Sequence, residues 1–131
     1  MIRRCLIANR GEIAIRIARS CADAGIEAVA VHAADDTDGL HVQRAARALA
    51  LPGRGARAYL DQDAVLAAAR DAGCDAVHPG YGFLAENAAF AARVEAAGLT
   101  WIGPRPEQLE LFGDKIAARA LAARCDVPVL E

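Results

Sequence analysis

The densest group of unusual residues in the chain is the run His78-Pro79-Gly80-Tyr81-Gly82-Phe83-Leu84-Ala85-Glu86-Asn87. A short apolar stretch, Asp75-Ala76-Val77, precedes it and an Ala-rich stretch follows, so the run spans a strand-to-helix turn. Ligands of open α/β sheets bind at such turns. Gly80 and Gly82 permit backbone angles closed to other residues, and a glycine lets a main chain approach a bound molecule closely. Pro79 ends strand pairing, and Tyr81 and Phe83 are two of the few aromatics in the chain. Glu86 supplies an acid at the last loop position and Asn87 a helix N-cap. A tight loop whose aromatics plug the end of the core would use the same residues, with Glu86 serving only the helix start.

Other residues carry a chemical and a plain reading side by side. Lys115 opens a helix capped by Asp114; an ammonium beside a helix N-terminus attracts phosphate, whereas a surface lysine needs no ligand. Arg16, Arg19 and Asp23 share one helix face with Glu12 a turn earlier, as solvated ion pairs would. Asp35, Asp36 and Asp38 lack the remaining ligands of a calcium loop and read as a solvated loop. Cys5, Cys21, Cys74 and Cys125 form no CxxC pair and have no histidine at zinc spacing, so they are expected to be reduced and structural, and no metal site is expected.

The elements that must position these residues follow from pattern and composition. The chain has 131 residues, enough for one domain with a sizeable core. It is 55% hydrophobic but only 5% aromatic, so Ala, Val, Leu and Ile must fill that core. A net charge of −2 with interspersed signs gives no basic face for nucleic acid, and no apolar run approaches a membrane span. Met1 leads directly into the first strand, leaving no room for a targeting segment; a cytoplasmic protein is expected. Strands are expected at residues 4–8, 27–32, 48–51, 76–77 and 100–102. Helices are expected at 12–24, 40–47, 62–72, 88–98, 106–112 and 115–124, capped at Asp61, Asn87 and Asp114. Residues 52–55 read as flexible and basic. Alternating strands and helices predict a three-layer, Rossmann-like α/β domain whose five-stranded parallel sheet runs in the order 3-2-1-4-5. The first turn holds only Gly11 and the second strand ends in His32, so the dinucleotide fingerprint is missing.

The decapeptide closely resembles the HPGYGFLSEN signature of biotin carboxylases. Cys5 to Arg16 resembles the family's opening IANRGEIA-x-R. Ala30-Val31-His32 with His41-Val42, Ala58-Tyr59-Leu60, Ile102-Gly103-Pro104 and Gly113-Asp114-Lys115 follow in the family's order and spacing. One departure is Ala45-Ala46-Arg47, where the family commonly has Ala-Asp-Glu. The resemblance implies an N-terminal, pre-ATP-grasp domain of an enzyme that uses ATP and magnesium to phosphorylate bicarbonate. The carboxyl group then passes to biotin held on a carrier protein or domain. It implies that Lys115 contacts the nucleotide, that Tyr81 and Gly82, with Glu86 nearby, border the biotin site, and that Arg16, Arg19 and Asp23 face a homodimer partner.

The central ATP-grasp and C-terminal domains would lie beyond Val129-Leu130-Glu131. Residues 1–131 alone are therefore expected to hold no catalytic residue and to show no activity. Two alternatives remain open: a stand-alone nucleotide-sensing Rossmann-like module, and a domain of a related ATP-grasp ligase such as a carbamoyl phosphate synthase or urea carboxylase.

Overall fold

A computed structural model describes residues 1–129; Leu130 and Glu131 lie outside the described residues. Strands β1 (Arg4–Ile7), β2 (Glu27–His32), β3 (Arg47–Ala50), β4 (Ala76–His78) and β5 (Thr100–Trp101) form one sheet in the order β3-β2-β1-β4-β5. Every pair is parallel, with Leu6 in register between Val29 and Val77. The expected order is the observed one. Helices α1 (Gly11–Asp23), α2 (Leu40–Arg44), α3 (Gly55–Ala58), α4 (Gln62–Asp71), α5 (Ala88–Ala96), α6 (Pro106–Gly113) and α7 (Lys115–Arg124) connect and flank the strands.

Because side chains alternate across a strand, two separate cores result. Cys5, Ile7, Ala28 and Ala76 point to one face and pack beneath Ala14, Ile17, Ala18 and Cys21 of α1. Leu6, Val29, Val31 and Val77 point to the other, where α4 and α5 supply Val65, Leu66, Phe90, Ala91 and Val94. The rings of Phe90 and Trp101 meet edge to face at 5.8 Å and join α5 to β5. Cys5, Cys21 and Cys74 are buried, and burial pushes the Cys5 thiol up to about 12 and Cys74 to about 11. Both thiols are thus protonated packing atoms at neutral pH. Cys125 is exposed, so a structural role does not extend to it.

The expected caps form. Asp61 accepts from the Ala64 amide, Asn87 from Phe90, and Asp114 from Ile116 and Ala117. Two expectations need correction. Helix α2 stops at Arg44 rather than Arg47, because Ala46 already donates to the Ala28 carbonyl and Arg47 pairs with Val29, starting β3 one residue early. Residues 52–55 are not a loose basic loop. Ala34 donates to the Gly53 carbonyl, the Gly55 amide donates to Asp35 Oδ1 at 2.8 Å, and Gly55 opens α3.

Candidate functional site

The strand order reverses between β1 and β4, since the chain builds outward from β1 to β2 and β3 on one side and to β4 and β5 on the other. The turns leaving these two central strands diverge to opposite faces and leave a crevice between them, the usual ligand position in open α/β sheets. The first turn is Ala8-Asn9-Arg10, leading into α1; the second is the loop from Pro79 to Asn87, leading into α5. A cleft of about 490 Å³ lies where they meet, lined by residues 9–13 and by Tyr81, Gly82 and Phe83.

Backbone geometry shapes the second turn. Gly80 and Gly82 have φ of 65° and 66°, in the left-handed region. Phe83 shares that region at φ 43°, an uncommon state for a residue with a side chain. The Gly80 amide donates to His78 Nδ1 at 3.0 Å. The two aromatics then part company. Phe83 turns inward to pack on the core, 5.3 Å from the ring of Tyr59. Tyr81, 62% exposed, turns outward, and its hydroxyl donates to the Glu12 carboxylate. Only one of the pair therefore plugs the core. The hydrogen bond to Glu12 raises the Tyr81 pKa, so the phenol stays protonated at neutral pH.

The first turn carries a polar network that residue patterns did not reveal. Asn9, 2% exposed, donates from Nδ2 to the carbonyls of Pro79 at 2.7 Å and Tyr81 at 2.8 Å, and its Oδ1 accepts from the Arg10 amide. Arg10 Nε donates to Asp36 Oδ2 at 2.8 Å, and the buried Tyr59 hydroxyl donates to the same oxygen at 2.9 Å while accepting from the Ala33 amide. The Arg10 hydrogen bond holds the Asp36 carboxyl below its ordinary range. Asp36 is thus a structural anion rather than part of a solvated loop, because an arginine and a buried phenol both reach it. Asn9, Arg10 and Tyr59 lie inside the quoted sequence matches, yet only their partners in space assign them work.

The remaining expected site residues scatter. Glu86 is exposed, and Asn87 alone supplies the cap of α5. Lys115 is exposed at the start of α7, which packs on α6, and does not line the cleft. Arg16, Arg19 and Asp23 are exposed on α1, and no ion pair joins them among the described residues, while Glu12 faces Tyr81 instead. The ion-pair expectation therefore fails. Exposed pairs gain too little to hold two long side chains in one geometry.

A profile described as "Biotin carboxylase, N-terminal domain" matches residues 1–109. The chain belongs to that family. It is 50% identical to the biotin-dependent acyl-coenzyme A carboxylase alpha3 subunit of Mycobacterium leprae, over 98% of this chain and 22% of the relative. It is 45% identical to the biotin carboxylase of Pseudomonas aeruginosa, over 99% of this chain and 29% of the relative. A solved biotin carboxylase domain of a single-chain bacterial carboxylase superposes with a TM-score of 0.95 at 55% identity, covering 98% of this chain and 30% of that one. The chain thus spans less than a third of the length of these relatives.

Among the described residues no cluster of three or more His, Cys, Asp or Glu side chains could hold a metal ion. No helix among the described residues is long and apolar enough to cross a membrane.

His78 is expected to lend the site an acid-dependent stability. Burial lowers its pKa, and the unprotonated Nδ1 is the acceptor for Gly80. Above the ordinary histidine pKa of about 6.5 both folded and unfolded chains are neutral there; below it the unfolded chain takes up the proton first. Stability contributed by a neutral His78 is thus complete above about pH 6.5 and is lost as pH falls through the lower folded value. The urea midpoint should drop between pH 7.5 and pH 5.5, and His78→Gln should flatten that slope. An unchanged slope in the variant would assign the acid sensitivity to other groups.

Proposed function

We propose that this chain is the N-terminal domain of a biotin carboxylase whose intact form uses ATP and bicarbonate to carboxylate biotin. Bicarbonate takes the terminal phosphoryl group of ATP to give carboxyphosphate and ADP. The carboxyl group then passes to a ureido nitrogen of biotin on a carrier protein or domain, with loss of phosphate. What supports this most is the near-complete alignment of the chain, at 45–50% identity, with proteins named biotin carboxylase or biotin-dependent carboxylase. The cleft at the strand-order reversal agrees with it, since it offers a glycine backbone and a tyrosine where a ligand could approach.

The finer assignments belong to the same proposal. The whole described chain is one pre-ATP-grasp domain, with magnesium ligands and the nucleotide enclosure supplied by ATP-grasp and C-terminal domains of the same protein. Tyr81 and Gly82 border biotin, Glu86 stands at the edge of that site, and Lys115 reaches the nucleotide from the first turn of α7. The exposed α1 face with Arg16, Arg19 and Asp23 meets a second copy in a homodimer. A cytoplasmic location completes the assignment. Residues 1–131 alone turn over no ATP, because an exposed lysine at a helix end gives only a weak, salt-screened attraction and nothing excludes water from a phosphoryl group.

The test is bicarbonate-dependent phosphate release from ATP, with free biotin present, by the intact chain and by residues 1–131. Activity is expected from the first and none from the second. Lys115→Gln in the intact chain should raise the apparent Michaelis constant for ATP about fivefold, as for one charge at a helix terminus, and leave the melting temperature in place. An unaltered constant would return Lys115 to an ordinary surface residue.

A further inference from the structure

We propose that Asn9 is a positioning residue that clamps the loop Pro79–Phe83, setting the backbone of Tyr81 and Gly82 in the form that meets the ligand. The clamp rests on the biotin-site assignment above for the identity of that ligand, but not for its own existence.

Asn9 is 2% exposed, and a buried amide must find partners for its two protons and its oxygen. The Asn9 amide is fully engaged: both Nδ2 protons go to carbonyls of the loop, at 2.7 Å to Pro79 and 2.8 Å to Tyr81, and Oδ1 takes the Arg10 amide at 2.9 Å. Reversing the amide would set its oxygen against two carbonyl oxygens, so one orientation alone satisfies all three partners. The two carbonyls flank Gly80, whose φ of 65° brings them round to the same side of the chain. Gly80 also leaves room for the amide, since a Cβ there would sit 2.8 Å from Nδ2.

Among the described residues, no backbone-to-backbone hydrogen bond ties residues 79–81 to the rest of the domain. The Gly80 amide is held locally by His78, and the Tyr81 hydroxyl reaches the exposed Glu12. The backbone ladder between β1 and β4 ends with the Ala8 amide donating to the His78 carbonyl, and beyond it Asn9 is the buried side chain that ties the turn after β1 to the loop after β4. A side chain that only filled space could be apolar at this position. A primary amide is what holds two carbonyls and one N–H together at a single point.

The test uses the intact chain with Asn9→Ala, and with Asn9→Ser as a second variant that retains a small polar group. Two quantities are read: hydrogen–deuterium exchange of peptides covering residues 79–84, and the Michaelis constants for biotin and for ATP. Loss of the clamp should speed exchange of the loop about tenfold, as local opening becomes easier, with β1 and β4 themselves unchanged. The constant for biotin should rise about fivefold or more while that for ATP stays within about twofold, since a mis-set loop weakens only the ligand it meets. Unchanged loop exchange in a folded variant overturns the proposal, as does faster exchange spread evenly over β1, β4 and the loop, which marks a general packing role. Faster exchange of the loop alone in the Asn9 variants, with a wild-type chain that shows no biotin-dependent turnover, upholds the clamp and removes the biotin assignment.

Discussion

Replacing Gly80 with valine should destabilise the domain by about 3–5 kcal/mol, whereas the same change at Gly82 should cost only about 1–2 kcal/mol. The two glycines have nearly the same backbone, at φ 65° and 66°, so the left-handed strain on a side chain is common to both. Their surroundings differ. A Cβ on Gly80 would lie 2.8 Å from Asn9 Nδ2 and 3.1 Å from its Cγ, while one on Gly82 would meet nothing within 4 Å. Relieving the first clash means moving the Asn9 amide away from its carbonyls, which leaves buried polar groups unpaired at about 1–3 kcal/mol. Urea denaturation of both variants measures the gap, and equal losses would show that Asn9 yields without cost. If the loop meets the ligand as proposed, both changes in the intact chain should still lower carboxylation far more than Ala85→Ser, because each distorts that loop.

Tyr59→Ala should lose about 3–5 kcal/mol, as expected for deleting a fully buried ring. The ring is 1% exposed, stands 5.3 Å from Phe83 and supports the inner half of the loop. Tyr59→Phe separates ring from hydroxyl. It retains the packing but leaves the Ala33 amide and Asp36 each short of one partner, for an expected loss of about 1–3 kcal/mol. Thermal or urea unfolding of the pair gives both numbers. A Tyr59→Phe variant as stable as the wild type would mean that the Asp36 network is held by Arg10 alone.

The sheet was legible because its determinants are local and periodic. Apolar strands such as Cys5-Leu6-Ile7 and Ala28-Val29-Ala30-Val31, with caps at Asp61, Asn87 and Asp114, repeat one alternation along the whole chain, and handedness then restricts the order. Helix α3 was missed because Pro52-Gly53-Arg54-Gly55 carries turn residues, and the bond that orders it comes from Asp35, twenty positions away. The site divided in the same manner. Gly80 and Gly82 announce their geometry by residue type, and both have positive φ. Asn9, Arg10, Asp36 and Tyr59 announce nothing, since an asparagine in a turn or an aspartate in a polar loop has many uses until its partner is known. Glu12 shows the hazard of periodicity alone, because helix spacing grouped it with Arg16 and Arg19 while its carboxylate bonds a tyrosine 69 residues away.

The reach of the Asn9 side chain also bears on when the cleft comes into being. Its amide joins the end of the first strand to carbonyls 70 and 72 positions later, across the central parallel pair. Contacts of such separation carry a large loop-closure cost and form late, after local helices and turns are in place. A chain can therefore form local helical turns while still lacking the crevice, and anything that binds the crevice, as proposed, would stabilise only the finished state. In refolding from urea, helical circular dichroism should return before Tyr59 and Phe83 come together, which makes the crevice a reporter of completed folding.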